Sequence, residues 1–319
     1  MTPYTATAAR RPAIVTLTMN PALDVTASTA RVHPSSKVRC YNDRYDPGGG
    51  GINAARIAHL LGADVLALFP IGGQTGELLV DLLIREGVPY RRVEIPGRTR
   101  ESFTVDEEST GEQYRFVLPG PTLSSVEYTR CLDELRAVAT GARFVIASGS
   151  LPPAAPVGFY QAVAELCAGL GARLILDASG PGLRHLTSGV FLLKPSLREL
   201  GELVGRELDA EPDILAAARE LITAGTVEVV VVSRGPQGAL LVTADEWRRF
   251  PAIARRPVST VGAGDAMVGA IATALSRDWS LPDAVRYGIA ASAAKLGTVG
   301  TELCRREDVE RHFAQTLEG

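Results

Sequence analysis

Several features that mark other classes of protein are scarce or missing in this sequence. The four cysteines are scattered without a C-x-x-C pair, which argues against a zinc site or a disulfide scaffold and fits a reducing cytosol. The net charge of −3 provides no basic field for nucleic acid, and no apolar run approaches the ~20 residues of a membrane span. Residues 1–12 are small and polar and lack the apolar core of a signal peptide. We therefore expect a cytoplasmic protein with a disordered tail at 1–12 and neither nucleic-acid nor membrane partners.

Apolar segments, in contrast, are plentiful, because hydrophobic residues make up 46% of the chain and charged residues 22%. Short continuous apolar runs, each ending in polar residues, are typical of parallel strands covered on both faces. Helical patterns fall between them, so we expect a doubly wound, mostly parallel sheet with helices on both faces. No linker or repeat divides the chain, which predicts one domain over residues 13–319. The predicted strands are 13–18, 64–69, 144–147, 174–176, 191–193 and 229–232. One predicted helix begins at about residue 52 and a second ends at about residue 86. The remaining predicted helices span about 157–169, 196–204, 212–224, 265–276, 282–296 and 306–317.

A second kind of strand is predicted in the first half of the chain. Residues 90–95, 101–106 and 112–117 alternate polar and apolar side chains, which is typical of strands with one face in water. A hairpin signal, Ser-Thr-Gly at 109–111, separates the last two of these strands. With the polar, β-prone residues 26–46 they predict a separate small β-sheet that forms a lid, with lid segments at about 26–46 and 98–118.

The most distinctive segment is STVGAGDAMVGA at residues 259–270. A glycine-rich turn that enters a helix leaves backbone N–H groups pointing outward at the positive end of the helix dipole, which makes an anion site. Asp265, the one charged side chain here, suits this site if it acts as a base while the N–H groups hold a transferring phosphoryl group. The ordinary alternative is an N-cap aspartate after a glycine turn.

Other segments carry candidate ligand groups, each with an ordinary alternative. Asp24 follows the first strand in a loop, where open α/β sheets bind ligands, or else it caps that loop. Lys37 and Arg39 lie on the same side of an extended segment and are candidates for binding a ligand; the ordinary alternative is a solvated face. The four glycines at 48–51 let a ligand press against the backbone, and Asn53 faces that turn. The run is neither a Walker P-loop nor a dinucleotide fingerprint, which argues against a Rossmann dehydrogenase.

Five motifs together resemble the ribokinase-like superfamily of sugar kinases, and within it the phosphofructokinase B subgroup. The resemblance extends from about residue 14 to the last helix, and the motifs stand in the family's order. They are TMNPALD at 18–24, GGGGIN at 48–53, SGSLPP at 148–153, GPQGAL at 235–240 and STVGAGD at 259–265.

The resemblance implies a role for each matching residue. Asp265 would be the catalytic base, and the N–H groups of Gly262, Ala263 and Gly264 would form the anion hole. The other groups would hold the sugar, its phosphate and the nucleotide with Mg²⁺, which Glu199 would bind through water. The sugar ligands would be Asp24, Asn53, Gly49 and Gly50; the phosphate ligands Lys37, Arg39, Arg100 and Ser150; and the ATP and Mg²⁺ ligands Lys194, Ser196, Glu199, Ser233, Gly235 and Gly238.

The substrate assignment depends on fewer residues. The tetraglycine run and EQYRFVLPG at 112–120 resemble 6-phosphofructokinases of this type, which favours ATP-dependent phosphorylation of fructose 6-phosphate to fructose 1,6-bisphosphate. Tagatose 6-phosphate and fructose 1-phosphate stay open as substrates. A catalytically weak sugar-phosphate or nucleotide sensor on the same fold also stays open.

Two departures from the family pattern, and the expected assembly, complete the predictions. Ser196 replaces the usual asparagine near the Mg²⁺ site, which predicts weaker metal or nucleotide binding. Lys295 replaces a small residue near the carbonyls of a monovalent cation site, expected around Ser259, Val261 and Gly300, so dependence on K⁺ is open, with a lean toward independence. We also expect a homodimer clasped through the lids, with an apolar face formed by Phe103, Val105, Tyr114 and Phe116.

Overall fold

The computed structural model describes residues 11–317, so almost all of the predicted tail at 1–12 lies outside the described residues. Within this range the chain forms two sheets and nine α-helices. The strands are β1 (Ile14–Leu17), β2 (Ala22–Thr29), β3 (Tyr41–Gly48), β4 (Val65–Ile71), β5 (Tyr90–Glu94), β6 (Arg100–Glu107), β7 (Gln113–Val117), β8 (Phe144–Ser148), β9 (Arg173–Asp177), β10 (Val190–Leu193), β11 (Val227–Ser233), β12 (Ala239–Val242) and β13 (Trp247–Phe250). The helices are α1 (Gly50–Leu60), α2 (Gly73–Glu86), α3 (Ser125–Ala139), α4 (Phe159–Leu170), α5 (Leu197–Val204), α6 (Glu211–Thr223), α7 (Ala263–Ser276), α8 (Leu281–Lys295) and α9 (Arg306–Leu317).

The large sheet has nine strands in the order β13-β12-β11-β10-β9-β8-β1-β4-β5. The strands from β11 to β5 in this order all pair parallel. At the other edge, β12 pairs antiparallel with β11, and β13 pairs antiparallel with β12. Successive residues of a strand face opposite sides, so Ile14 packs in the core under α1, α7 and α8, whereas Val15 packs in the core under α3, α4 and α6. Burial on both faces explains why these strands are continuously apolar, and the predicted doubly wound sheet is confirmed.

The small sheet has the order β3-β2-β6-β7, and its central pair, β2 and β6, is parallel. Its inner face carries polar side chains, including Asp24, Thr26 and Thr104, and the latter two are buried. Apolar side chains alternate onto the outer face. The predicted separate small sheet is therefore confirmed, and it presents polar groups toward the ends of the large sheet's strands.

The structure corrects two of the predicted elements. Residues 90–95 alternate in polarity, but β5 lies at the edge of the large sheet, paired with β4, and not in the small sheet. An edge strand of the large sheet also has a solvated face. The alternation of polar and apolar side chains therefore could not show to which of the two sheets these residues belong. Asp24 was predicted in a loop, but it lies within β2, hydrogen-bonded to both β3 and β6.

The sequence reading also left out helix α3 and the hairpin of β12 and β13, which the structure shows. Among residues 11–317, the helices are too short or too polar for any of them to cross a bilayer.

Candidate active site

The candidate residues converge because parallel strands end at one edge of the large sheet. Ser148, Asp177 and Ser233 are the last residues of β8, β9 and β11, and Lys194 directly follows β10. The glycine turns that begin α1 and α7 meet them at this edge, where open α/β sheets bind their ligands.

Asp265 lies in the first turn of α7, next to the N–H groups at the helix start. The N-cap residue, Gly262, has φ of 75°, a left-handed conformation that favours glycine, and it turns the chain sharply into the helix. One carboxylate oxygen of Asp265, Oδ2, accepts a hydrogen bond of 3.0 Å from Nδ2 of Asn53 on α1. Burial raises the pKa of Asp265, opposed by the Asn53 hydrogen bond and the charge of Lys194. A carboxylate of raised pKa held at a helix N-terminus is suited to accept a proton.

A buried ion pair, which the sequence reading did not assign, lies beside this helix start. Lys194 Nζ is 3.0 Å from Oδ1 of Asp177, and a Cβ at Gly264 would lie 3.4 Å from that ammonium. Burial raises the pKa of Asp177 to about 6, with Lys194 opposing the shift. The pair places a positive charge next to the predicted anion hole. An acidic residue at the end of a core strand was the available signal for Asp177.

The tetraglycine run packs closely against other parts of the chain. A Cβ at Gly48 would lie 2.2 Å from Oδ2 of Asp24, and a Cβ at Gly50 would lie 2.3 Å from Oγ of Ser148. Real Cβ atoms do not approach so closely, so these glycines let β2 and the end of β8 close around the start of α1. The predicted contact of the Gly49 and Gly50 backbone with a ligand stays a prediction.

Arg56, also unassigned by the sequence reading, orients Asn53. It lies one turn further along α1 and is fully buried. Its Nη1 donates 3.3 Å to Oδ1 of Asn53 and 2.9 Å to the carbonyl of Thr301, while Nε and Nη2 bind Glu86 at 2.6 and 2.5 Å. Because Oδ1 of Asn53 accepts from Arg56, its Nδ2 is left to face Asp265. The i, i+3 spacing of Asn53 and Arg56 was the sequence signal.

On the substrate side, Asp24 lies between positive charges from the small sheet. Burial raises the pKa of Asp24 to about 6, against the lowering influence of Arg100, Arg115 and Arg56. Arg115 was not among the predicted site residues, although it lies within the 112–120 motif. A half-buried carboxylate flanked by arginines can bind sugar hydroxyls and, beside them, a phosphate.

Asn20 connects two of the predicted phosphate ligands. Its carbonyl accepts hydrogen bonds from Nη2 and Nε of Arg100 at 3.0 and 3.3 Å, and its Nδ2 is 3.4 Å from Oγ of Ser150. Arg100 Nη1 also donates 2.9 Å to the carbonyl of Leu118. The structure thus brings Arg100 and Ser150 to one place, next to Asp24.

The structure does not bring Lys37 and Arg39 to that place within one chain. Both are exposed in the connection between β2 and β3, and the carbonyl of Arg39 accepts from the Thr29 hydroxyl at the end of β2. Arg100 lies beside the opposite end of β2, which is roughly 20 Å away at the rise of a strand. The expectation that these three cations gather around one phosphate is wrong for a single chain.

The predicted nucleotide ligands lie at the ends of β10 and β11. Ser196 and Ser233 bridge the two strand ends, and Ser196 also caps α5, with its Oγ accepting 3.2 Å from the N–H of Glu199. The Glu199 carboxylate accepts in return from N and Oγ of Ser196, both at 2.8 Å. Gly235 and Gly238 bound the turn after β11. In this chain Ser196 therefore fixes the orientation of Glu199. From the sequence, Ser196 is considered only as a replacement for the usual asparagine, which does not predict this contact.

Lys295, the last residue of α8, contacts Gly300, one of the three residues around which a monovalent cation site was expected. Its ammonium donates 2.7 Å to the carbonyl of Gly300 and 2.9 Å to Oγ1 of Thr298. Burial lowers the pKa of Lys295 to about 8. A Cβ on Gly262 would lie 3.2 Å from Cε of Lys295, so the side chain packs beneath the turn that begins α7.

A half-buried carboxylate at a helix N-terminus, with cations on either side, is suited to phosphoryl transfer between two bound substrates. The model of the pfkB family of carbohydrate kinases matches residues 13–308. The chain belongs to this family, as the sequence motifs predicted.

Curated relatives match over nearly the whole chain. The ATP-dependent 6-phosphofructokinase isozyme 2 of Mycobacterium tuberculosis is 59% identical over 308 residues, covering 97% of this chain and 91% of that protein. The protein of the same name from Escherichia coli K12 is 41% identical over 303 residues, covering 94% and 98%.

Solved structures of phosphofructokinase-2 from Escherichia coli show the same fold. The complex with potassium has a TM-score of 0.91 at 40% identity, and the complex with fructose 6-phosphate has 0.87 at 38%; each covers 96% of this chain and 99% of the other. A tetrameric inhibited form has a TM-score of 0.90 at 40% identity with the same coverage.

Proposed function

We propose that this protein phosphorylates fructose 6-phosphate at its 1-hydroxyl with ATP, giving fructose 1,6-bisphosphate and ADP. The observation that carries the proposal is the position of Asp265 at the start of α7, held by Asn53 between the Asp24 side and the Lys194 side of the site. The substrates named for the relatives that match nearly the whole chain support the same assignment.

Asp265 is the general base in this proposal. It takes the proton of the 1-hydroxyl, whose oxygen forms a bond to the γ-phosphorus as the bond to the ADP oxygen breaks and ADP leaves with the electron pair. The N–H groups of Gly262, Ala263 and Gly264, with the nearby ammonium of Lys194, stabilise the charge on the transferring phosphoryl oxygens.

The sugar lies against Asp24 and Asn53, and its 6-phosphate binds Arg100, Arg115 and Ser150. A dianion between guanidinium groups forms charge-assisted hydrogen bonds that a neutral sugar cannot form. Specificity for a phosphorylated sugar follows from that difference.

ATP binds at the ends of β10 and β11, against Ser196, Ser233, Gly235 and Gly238. Within residues 11–317, no three His, Cys, Asp or Glu side chains form a metal-ligating cluster. The donors present suit Mg²⁺ that arrives on the nucleotide phosphates, because Glu199 and Asp177 offer hard carboxylate oxygens that can accept from metal-bound water. Mg²⁺ would supply charge neutralisation of the phosphates, and the capping box with Ser196 holds the Glu199 carboxylate in place.

A homodimer clasped through the small sheets completes the proposal. Tyr45, Val25, Phe103 and Phe116 are in register across all four strands and form an apolar row; Tyr45, Phe103 and Phe116 are 44%, 38% and 56% exposed. Such a row on an outer sheet face is suited to bury against a second copy. Lys37 lies far from Arg100 in its own chain. In a dimer, Lys37 of one protomer can instead reach the substrate phosphate in the site of its partner.

Two measurements test the assembly. Light scattering with both substrates present should give a dimer or a multiple of it at micromolar concentration. Mixing inactive Asp265→Asn with Lys37→Ala should restore turnover, because a mixed dimer has one site with its own Asp265 and the partner's lysine. A monomer, or no recovery on mixing, contradicts the proposed clasp.

Free cysteines at all four positions agree with a reducing compartment, and we propose the cytoplasm.

The substrate is tested by specificity constants in an ADP-release assay with fructose 6-phosphate, tagatose 6-phosphate, fructose 1-phosphate and fructose. We expect fructose 6-phosphate to exceed fructose strongly and to exceed the other two sugar phosphates. A higher constant for tagatose 6-phosphate or fructose 1-phosphate replaces the assigned substrate. Binding of fructose 6-phosphate without ADP release identifies a sensor.

A further inference from the structure

Lys295 is a buried charge with unusual surroundings. The side chain is 4% exposed, and within residues 11–317 its ammonium forms no salt bridge with a carboxylate. It binds a backbone carbonyl, Gly300, and a hydroxyl, Thr298, instead. The chain has only three lysines against thirty arginines, so a compact ammonium at this position is not a by-product of a lysine-rich composition.

Neutral oxygens around a buried positive charge are the surroundings that proteins also give to alkali cations. A relative of this chain was solved in complex with potassium. The residues present here do not fit such an ion, because the ammonium of Lys295 already occupies the space beside the Gly300 carbonyl, at 2.7 Å. An ion and an ammonium cannot share that position, both because of their volume and because like charges repel at short range.

The ammonium joins two parts of the active site. On one side it holds the segment that contains Gly300, and the carbonyl of the next residue, Thr301, accepts a hydrogen bond from Arg56, which orients Asn53. On the other side its stem packs under Gly262, the residue that begins the anion-hole turn. Loss of the charge would leave the Gly300 carbonyl unpaired in the interior and free this segment to move.

We infer that Lys295 is a positioning residue whose side chain acts as a built-in monovalent cation, so that the protein orders its anion-hole turn without potassium. The inference depends on the proposed kinase activity only for its turnover measurements.

The test compares wild type, Lys295→Ala, which opens the position, and Lys295→Met, which fills it without charge. Arg286→Met, which removes a positive charge from the outer face of the same helix, is the control. Turnover of fructose 6-phosphate is measured in KCl, NaCl and tetramethylammonium chloride at one ionic strength. Thermal unfolding is measured in the same salts without nucleotide or sugar, so it is informative even if the assigned substrate is wrong.

For wild type, turnover and unfolding temperature should not change between the three salts. The same should hold for Arg286→Met. Lys295→Ala should lose about tenfold or more in turnover in tetramethylammonium and recover most of it in KCl, and KCl should raise its unfolding temperature. Lys295→Met should lose turnover to a similar extent without recovery.

Two results overturn the inference: stimulation of wild type several-fold by KCl, or full activity of Lys295→Ala without an alkali cation. If Lys295→Ala unfolds in tetramethylammonium, refolding on addition of KCl supports the inference. Failure to refold in KCl, together with full activity of Lys295→Met, contradicts it.

Discussion

Replacing Asp24 by asparagine should stabilise the free protein while weakening its function. The carboxyl group lies in β2, half-buried, and a Cβ at Gly48 would lie 2.2 Å from its Oδ2. Burial raises its pKa to about 6 from the ordinary value of 3.8. The folded protein therefore binds a proton at Asp24 more tightly than the unfolded chain does, and the ionised form is the strained one.

The sign and size follow from that difference in pKa. A raised carboxyl pKa favours the fold below 3.8, and this contribution is lost as the pH rises through about 6. Two pKa units correspond to about 3 kcal/mol, which is an upper bound because the group is partly solvated. Asparagine has no charge to desolvate and is nearly the same size and shape as aspartate. We expect Asp24→Asn to raise the free energy of unfolding by about 1–3 kcal/mol at pH 7.5, and by about half as much at pH 5.

The assay is urea unfolding of wild type and Asp24→Asn at both pH values without ligands. Asp43→Asn, an exposed position in the same sheet, is the control and should change stability by less than about 0.5 kcal/mol. The stabilised variant should bind fructose 6-phosphate more weakly, because sites often trade stability for function. An Asp24→Asn protein that is no more stable than wild type at pH 7.5 would refute the reasoning.

Three further changes test other parts of the site. Arg56→Met removes the partner of Glu86 and the group that orients Asn53, so the free energy of unfolding should fall by about 3–5 kcal/mol in urea titrations; a loss below about 1 kcal/mol would contradict the network. Arg100→Ala should lower the specificity constant for fructose 6-phosphate by about 2–4 kcal/mol with little effect on fructose, and an equal loss for both sugars would remove its role in phosphate binding. Gly262→Ala places a Cβ at φ 75° and 3.2 Å from the Lys295 side chain, so it should cost about 1–2 kcal/mol in thermal or urea unfolding, and unchanged stability would argue against that turn.

The large sheet could be predicted from the sequence because its strands are buried on both faces, so each is a continuous apolar run. The edge strand β5 could not be distinguished from the small sheet, because both expose one face and both alternate. The hairpin of β12 and β13 was missed for a different reason. Its first strand is apolar and directly follows a glycine turn, and its second is mostly polar and exposed.

Site residues that belong to a motif could be predicted, whereas those that depend on long-range contacts could not. Asp265 and Asn53 are separated by 212 residues, and only their motifs indicated that they meet. Arg56 and Asp177 carried only weak local signals, and their charged partners, Glu86 and Lys194, lie elsewhere in the chain. Lys37 and Arg39 show the opposite case, because the register of β2 with β6 places them at the far end of the small sheet from Arg100 of the same chain, which no local pattern shows.

The central claim is that Asp265 drives phosphoryl transfer to the 1-hydroxyl of fructose 6-phosphate. The most direct measurement is phosphorus NMR of the products formed from ATP and fructose 6-phosphate by wild type and Asp265→Asn, alongside calorimetric binding of fructose 6-phosphate to both. Wild type should yield fructose 1,6-bisphosphate and ADP, and the variant should bind the sugar phosphate similarly while its turnover falls about 10²–10⁴-fold. A different product, or a variant that keeps more than about a tenth of wild-type turnover, a loss under about 1.4 kcal/mol, would contradict the account.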